Sequence, residues 1–439
     1  MTAPDPYVPH RGDDGLHVTH YDLDLDYRPA TNALTGRAVL TIEPTRPLTS
    51  FALDLVGMTV DGVRVDGRRP AHYRHRGGRL AVMLSAEVGP GRARNVEVRY
   101  SGRPRPQRGP WGEVGWEELA DGVLVAGQPD GAPTWFPCVD LPAEKATFRI
   151  TVRTDSAYTV LANGSLVDRT RGGSTTTWEY DCPEPMAPYL ATLQIGRYEE
   201  HVLAAAPVPQ RLLAPVRLRE RALADTACSP AMLELFTRLF GPYPFAGYTV
   251  VVTDDDLEIP LEAQGISVFG DNHVDGEGGS ERLVAHELAH QWFGNSLTVG
   301  QWRDVWLHEG FACYAEWLWS EASGGPVSDV LAATHWQRLA DQPQDLVLTG
   351  PGPERMFDDR VYKRGALALH ALRREVGDDA FFDLVRSWVE RHRHGTVTSD
   401  DLLELVATRV GAPAEAVLRN WIEREPLPAL RSGEAARPA

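Results

Sequence analysis

Several features that would place a chain in a specialised class are scarce in this sequence of 439 residues. Cysteine occurs four times, as Cys138, Cys182, Cys228 and Cys313, without C-x-x-C spacing, so neither a disulfide framework nor a structural zinc module is predicted. Apolar runs stay well short of the ~20 residues of a membrane span. The first residues have neither the basic nor the apolar region of a signal peptide, so a cytoplasmic protein is expected.

Basic residues are also under-represented. The chain has 44 Lys and Arg against 61 Asp and Glu, which gives a formal net charge of −17. Nucleic acids and anionic membranes bind through basic patches, so the composition argues against both as partners. The hydrophobic content of 43% and the charged content of 24% are typical of a globular protein of two or three domains.

The first 200 residues read as β structure. Tyr21, Leu23, Leu25 and Tyr27 alternate with aspartates, a pattern that buries one face of a strand, and similar runs follow with hardly any helical periodicity. We therefore predict an all-β sandwich or saddle of two sheets over residues 1–200. The last strand is expected over residues 189–198, followed by a proline-containing link over residues 207–216.

Helical periodicity dominates residues 201–430, with a short β region around residues 248–269, and residues 431–439 are expected to be a disordered tail. One helix is predicted to end at Gly294 and Asn295, and Ser399 is the expected N-cap of another. The other predicted helices cover residues 222–240, 361–375, 379–392, 399–410 and 413–423.

One motif in the second half predicts a metal site. His286 and His290 are four residues apart, so on a helix both imidazoles lie on one face and can bind one ion, with Glu287 beside it. Catalytic zinc commonly takes three protein ligands and keeps one position open, and Glu309, on a second and mostly apolar helix, can be the third. The string also arises by chance in some chains, but Ser280 as N-cap and the apolar setting support the zinc interpretation.

The segments around these residues resemble those of the aminopeptidase N family of zinc metallopeptidases. The resemblance covers roughly residues 15–430. The family's long C-terminal helical domain is not represented, and His308 stands where the family usually has Asn. The two segments that carry the resemblance are His286-Glu287-Leu288-Ala289-His290-Gln291-Trp292-Phe293-Gly294-Asn295 and Trp306-Leu307-His308-Glu309-Gly310-Phe311-Ala312.

The resemblance extends to three further residues. Residues 136–147 look like the stretch that follows the family's substrate-contacting Gln or Glu, which makes Gln128 that residue here. Residues 361–366 look like the segment with the family's transition-state tyrosine, here Tyr362. The family's amine-binding glutamate lies in a Gly-Ala-Met-Glu-Asn run, and only Glu262 of that run survives in Ile259-Pro260-Leu261-Glu262-Ala263. By composition alone, Tyr362 would be helix packing and Glu262 a solvated charge in an acidic run.

By this resemblance the fold is an N-terminal all-β domain followed by a thermolysin-like α+β zinc domain. The implied activity is zinc-dependent removal of N-terminal residues from peptides with a free amine. One Zn²⁺ per chain would be held by His286, His290 and Glu309, and Glu287 would be the general base for the zinc-bound water. Two alternatives remain open: an endopeptidase or other zinc hydrolase that uses the same site, and a binding module that has lost catalysis. The sequence leaves the oligomeric state open.

Overall fold

The computed structural model describes residues 5–430, which fall into two compact units. The first comprises the described part of Met1–Ala227 together with Phe245–Ser280. The second comprises Cys228–Pro244 and the described part of Glu281–Ala439. The predicted disordered tail, residues 431–439, lies outside the described residues.

The first unit is built from strands. In chain order they are β1 Leu16–Arg28, β2 Ala33–Pro44, β3 Leu48–Asp54, β4 Thr59–Val65, β5 His72–Arg76, β6 Arg79–Val88, β7 Arg94–Gly102, β8 Gln107–Gly109, β9 Gly112–Leu119, β10 Gly122–Ala126, β11 Ala146–Asp155, β12 Thr159–Ala162, β13 Ser165–Gly172, β14 Thr175–Met186, β15 Leu193–Gly196, β16 Tyr198–Ala204, β17 Gln210–Pro215, β18 Tyr248–Val252, β19 Leu261–Ala263 and β20 Ile266–Phe269. One α-helix, α1 Arg219–Thr226, follows β17.

These strands form four sheets among the described residues of the unit, and three of them lie within the first 200 residues, where two were predicted. The largest has seven strands in the order β13-β14-β11-β1-β2-β7-β4, and a three-stranded sheet has the order β3-β6-β5. Two five-stranded sheets have the orders β12-β15-β10-β9-β8 and β16-β17-β18-β20-β19. The pairings are mostly antiparallel, but β1 runs parallel to β11, and β18 runs parallel to both β17 and β20.

The predicted alternation in β1 is confirmed. Tyr21, Leu23, Leu25 and Tyr27 are at most 1% exposed, whereas the aspartates between them are half-buried or exposed. One face of the strand therefore contributes to the hydrophobic core, and the other faces water.

Three local predictions near the end of this region are wrong. Residues 189–198, expected as one strand, form a 3-10 turn at Pro188–Leu190, then β15 and the start of β16. Residues 207–216, expected as a link, contain the strand β17. The helix expected over 222–240 is two helices, α1 and α2 Ser229–Phe240, because Pro230 lacks the N–H that would continue α1 but is well suited to the first turn of α2.

The second unit is helical. After α2 its elements are α3 Glu281–Ala289, β21 Thr298–Val299, α4 Trp306–Ala322, α5 Ser328–Ala340, α6 Asp359–Val376, α7 Asp378–His392, β22 Thr396–Val397, α8 Ser399–Arg409 and α9 Ala412–Ile422. The strands β21 and β22 form a two-stranded sheet. The sequence predicted α6 to α9 to within two residues. Within residues 5–430, none of the helices combines the length and the apolar content that a transmembrane segment requires.

The N-cap of α8 differs by one residue from the prediction. Thr398, not Ser399, caps the helix: its hydroxyl accepts from the Asp401 amide, and the Asp401 carboxylate accepts from the Thr398 amide. This reciprocal pair is a capping box. Ser399 is instead bonded to the buried Asp304 carboxylate.

Two glycines allow α4 and α6 to pack backbone against backbone. A Cβ atom on Gly365 of α6 would lie 2.7 Å from the Gly310 Cα, and a Cβ on Gly310 of α4 would lie 2.9 Å from the Gly365 Cα. Neither position has room for a side chain. This contact lies one residue after Glu309 and three residues after Tyr362, so it sets the spacing between the two helices that carry them.

A buried arginine also anchors α6. The Arg364 guanidinium donates to the backbone carbonyls of Trp421 and Leu346 at 2.9 Å each, to Glu425 at 2.8 Å, and to Arg424. Burial lowers the pKa of Arg364 to about 10, which leaves it cationic at neutral pH. The helix that carries Tyr362 is thereby fixed to the end of α9.

Candidate active site

The two histidines of the motif lie at the end of α3. The helix ends at Ala289, shorter than predicted, but the His290 amide still donates to the His286 carbonyl at 3.2 Å. The four-residue helical relation is therefore kept, and the two imidazole rings lie 4.8 Å apart. His286 is 8% exposed and His290 is 1% exposed.

Glu309, near the start of α4, completes a group of three converging donors. Its Oε2 lies 3.4 Å from His286 Nε2 and 3.5 Å from His290 Nε2. All three donor atoms are within 4.8 Å of one another, and Glu309 is 2% exposed. Two imidazole nitrogens and one carboxylate oxygen in this arrangement are the ligand types that zinc takes in catalytic sites.

The second nitrogen of each ring has its own partner. His286 Nδ1 donates to Glu316 Oε1 at 2.7 Å, and His290 Nδ1 donates to the Phe293 carbonyl at 2.9 Å. In the neutral imidazole, a proton on Nδ1 leaves the lone pair on Nε2. When the rings are neutral, as metal ligation requires, both present the lone pair of Nε2 on the side of the Glu309 carboxylate.

The electrostatics of the cluster favour a cation. Burial works to lower the pKa of His286, but the carboxylates of Glu309 and Glu316 outweigh it and raise the pKa to about 9. Burial works to raise the pKa of Glu309, yet His290 and His286 hold it well below the usual range. The three side chains stabilise positive charge between them, which a divalent ion would supply. The residues present thus fit zinc.

Two further predicted residues lie close to this group. Glu287 is 4% exposed, and a carboxylate oxygen lies within 4.8 Å of a ring nitrogen of His290. The Tyr362 ring of α6 is half-buried and stacks near the His286 ring, with centroids 6.1 Å apart and planes 20° apart. A buried carboxylate and a tyrosine ring therefore lie beside the three donor atoms within the second unit.

The other two predicted residues meet in the first unit. Gln128 Nε2 donates to Glu262 Oε1 at 2.6 Å, although the residues are 134 positions apart in sequence. Glu262 lies in β19, a short strand that the sequence analysis missed, which pairs antiparallel with β20. The pairing places Glu262 opposite Ser267, in a sheet rather than in a solvated acidic loop.

Comparison with known proteins identifies the family. Residues 227–421 match the family described as "Peptidase family M1 domain", and residues 17–190 match "Peptidase M1 N-terminal domain". An M1 zinc metallopeptidase of Deinococcus radiodurans, solved as a variant with a Tyr-Ser-Ala substrate, is 32% identical. The comparison has a TM-score of 0.90 and covers 98% of this chain and 100% of that one. The chain belongs to peptidase family M1.

Two aminopeptidases are also similar to this M1 chain. The leucyl aminopeptidase of Saccharolobus solfataricus is 24% identical over 447 residues, which cover 95% of this chain and 54% of that protein. Probable aminopeptidase 2 of Sulfurisphaera tokodaii is 27% identical over 330 residues, which cover 68% and 40% respectively. The chain thus spans about half the length, or less, of these relatives.

Membership in family M1 confirms the resemblance and the fold class predicted from the sequence, an N-terminal β-rich domain followed by an α+β catalytic domain. The domain boundary at residue 200 stays a prediction. The family matches leave residues 191–226 between them, and the first compact unit extends to Ala227 and resumes at Phe245.

Sequence reasoning missed two residues of the site, Glu316 and Arg282. Glu316 bonds to His286, and its pKa, which burial raises, is lowered overall to about 2 by His286, Lys363 and Arg282. Glu316 is seven residues after Glu309, and Arg282 is four before His286. Each of the two residues therefore lies on the same helix face as a predicted ligand, so helical spacing could have identified both from the sequence.

Proposed function

We propose that this protein is a zinc aminopeptidase that hydrolyses the N-terminal peptide bond of peptides with a free amine. The observation that carries the proposal is the convergence of His286 Nε2, His290 Nε2 and Glu309 Oε2, with both Nδ1 atoms already bonded. In this proposal His286, His290 and Glu309 hold one Zn²⁺ per chain. When bound, zinc would polarise a peptide carbonyl and make a water molecule more acidic.

The chain's own residues would then move the protons. Glu287, buried beside His290, would accept the proton of the attacking water and pass it to the leaving amine. The low exposure of Glu287 supports this role, because proton transfer to a carboxylate is less hindered where bulk water does not solvate the charge.

Tyr362 would donate a hydrogen bond to the oxyanion that forms on the scissile carbonyl. Its stacking near His286 and the fixed spacing of α4 and α6 support this role. A donor already held in place costs little reorganisation during the reaction, and removing one such donor costs roughly 2.7–4 kcal/mol in well-studied enzymes.

An exopeptidase also needs a group that recognises the free amine, and we propose Glu262 with Gln128 for this role. The Glu262 carboxylate can accept a charge-assisted hydrogen bond from an α-ammonium group. Gln128 uses its amide nitrogen on Glu262, so its amide oxygen is the atom that would accept from the same ammonium.

The test is hydrolysis of aminoacyl reporter substrates, each with a free and with an acetylated amine. Free-amine substrates should be cleaved, and activity should disappear with a chelator and return when zinc is added. Acetylated substrates should be poor, because acetylation removes the charge and adds bulk.

Variants identify the amine anchor. Glu262→Ala should lose a large part of kcat/KM on free-amine substrates with zinc content unchanged. Glu258→Ala, an exposed carboxylate four residues earlier, is the matched control and should behave like the unmodified protein. Rapid internal cleavage of acetylated peptides, or a silent Glu262→Ala, would support the endopeptidase alternative instead. Zinc binding with no hydrolysis of any peptide would support the binding module.

A further inference from the structure

The Nδ1 atoms of the two candidate zinc-binding histidines donate to different kinds of acceptor. His290 Nδ1 donates to a neutral group, the Phe293 carbonyl, which belongs to the turn directly after the motif. His286 Nδ1 donates to a side-chain carboxylate, Glu316 Oε1, at the shorter distance of 2.7 Å. The support of His290 is therefore local backbone geometry, whereas the support of His286 depends on one distant side chain.

Glu316 is itself held in place from two sides. Its side chain is 3% exposed, and its other oxygen, Oε2, accepts from the Arg282 guanidinium at 3.0 Å. Arg282 is on α3, one turn before His286, and Glu316 is on α4, two turns after Glu309. The pair thus joins the two helices that carry the three candidate ligands.

A second cation, Lys363, interacts electrostatically with the same carboxylate. Lys363 Nζ is 3.3 Å from Cys313 Sγ, and Cys313 is one turn before Glu316 on α4. Lys363 is one of two lysines in the sequence and follows Tyr362 directly. A carboxylate acceptor bonds more strongly to an imidazole N–H than a neutral acceptor does, so Glu316 constrains the His286 ring more than a backbone carbonyl would.

We propose that Glu316, held by a hydrogen bond from Arg282, is a positioning residue that fixes the tautomer and ring orientation of His286 for metal binding. The inference rests on the proposed zinc site and deepens it. Glu316 does not ligate the ion: its bond to Nδ1 keeps the proton there, so that Nε2 presents its lone pair towards His290 and Glu309. Loss of Glu316 therefore weakens the site with all three ligands still present.

The expected size of the effect follows from the geometry. Outer partners of metal-bound histidines typically contribute 10–100-fold to metal affinity. Glu316→Ala removes both the acceptor and the charge, so it should weaken zinc binding by about 10–100-fold. Glu316→Gln keeps an acceptor oxygen of the same reach but not the charge, and should show a smaller loss. Arg282→Ala removes one hydrogen-bond donor from the carboxylate and should also show a smaller loss of zinc affinity.

The experiment measures zinc affinity of the full chain by competition with a chromophoric chelator, a readout that does not depend on peptidase activity. Glu321→Gln is the matched control, because Glu321 lies on the same helix and its carboxylate binds Ser328 rather than a ligand. It should bind zinc as the unmodified protein does. Unfolding of each zinc-free variant in denaturant separates loss of fold from loss of affinity, and Glu316→Gln serves if Glu316→Ala does not fold.

The visible spectrum of bound cobalt gives a second readout, which would not change if Glu316 only stabilised the fold. Co²⁺ bound in place of zinc absorbs visible light in a way that reports ligand geometry, so Glu316→Gln should alter its spectrum and Glu321→Gln should not. Unchanged zinc affinity and an unchanged cobalt spectrum in both Glu316 variants would overturn the inference alone. Failure of the unmodified chain to bind zinc would overturn it together with the proposed function.

Discussion

The contact between Gly310 and Gly365 offers a direct test of how the fold positions Tyr362. In Gly365→Ala the new Cβ would lie 2.7 Å from the Gly310 Cα and 3.6 Å from the Trp306 carbonyl oxygen. Carbon atoms pack at about 3.5–4.0 Å, and the colliding atom belongs to the backbone, so it cannot rotate away. The helices α4 and α6 must therefore separate by roughly 1 Å at this point.

Two opposing terms decide the change in stability. Alanine in a helix interior is favoured over glycine by about 0.5–1 kcal/mol, because glycine loses more conformational entropy on folding. Overpacking a well-packed contact costs about 1–3 kcal/mol, and a backbone collision belongs near the upper end. We expect Gly365→Ala to lower the free energy of unfolding by about 1–2 kcal/mol. Gly350→Ala, whose new Cβ would have its nearest atom 4.0 Å away, is the control and should change it by less than about 0.5 kcal/mol.

Gly365→Ala should also lower the rate of hydrolysis, by more than its loss of stability alone would cause. Tyr362 is one helical turn before Gly365, so a shift of α6 moves its hydroxyl away from the metal ligands. A misplacement of about 1 Å can cost about 100-fold in rate. The assay combines denaturant unfolding of the zinc-loaded protein with turnover of a free-amine substrate. A Gly365→Ala variant that is more stable than the unmodified protein and turns over normally would refute the reasoning.

Three further variants test single roles. Glu309→Ala should abolish stoichiometric zinc in metal analysis, because three protein ligands become two; full zinc content would show that the third ligand is another residue. Glu287→Gln should keep the metal and lose activity, because an amide does not accept the proton of the attacking water; near-normal turnover would place the base elsewhere. Tyr362→Phe should lower kcat far more than it raises KM, as expected for a bond made mainly in the transition state; an unchanged kcat with a raised KM would assign Tyr362 to substrate binding.

The arrangement of the candidate metal centre could be predicted because most of it is local. His286 and His290 are one helical turn apart, and the period of the helix alone places both on one face. The all-β character of the first 200 residues and strands such as β1 followed from alternation, although β13 and β14 were missed, and the helices α6 to α9 followed from apolar periodicity. These patterns depend on the geometry of one element and are therefore visible in the sequence.

Local sequence patterns did not predict secondary structure correctly where its formation depends on a neighbouring element. The strands β17 and β19 are short and have little alternation, and they exist because β18 and β20 supply their hydrogen-bond partners. The break between α1 and α2 was present in the sequence as Pro230, but the apolar periodicity on both sides concealed it.

The sequence by itself determined the ligand types, their spacing within each helix and the family resemblance. Only the tertiary structure decided which distant residues meet: Gln128 with Glu262 across 134 positions, Glu316 with His286, and Gly310 with Gly365. The physical reason is that helical and strand periods are properties of the local backbone, whereas contacts between elements follow from how their faces pack. A side chain's position along its own helix is encoded locally, but the partner that fixes its orientation is supplied by the fold.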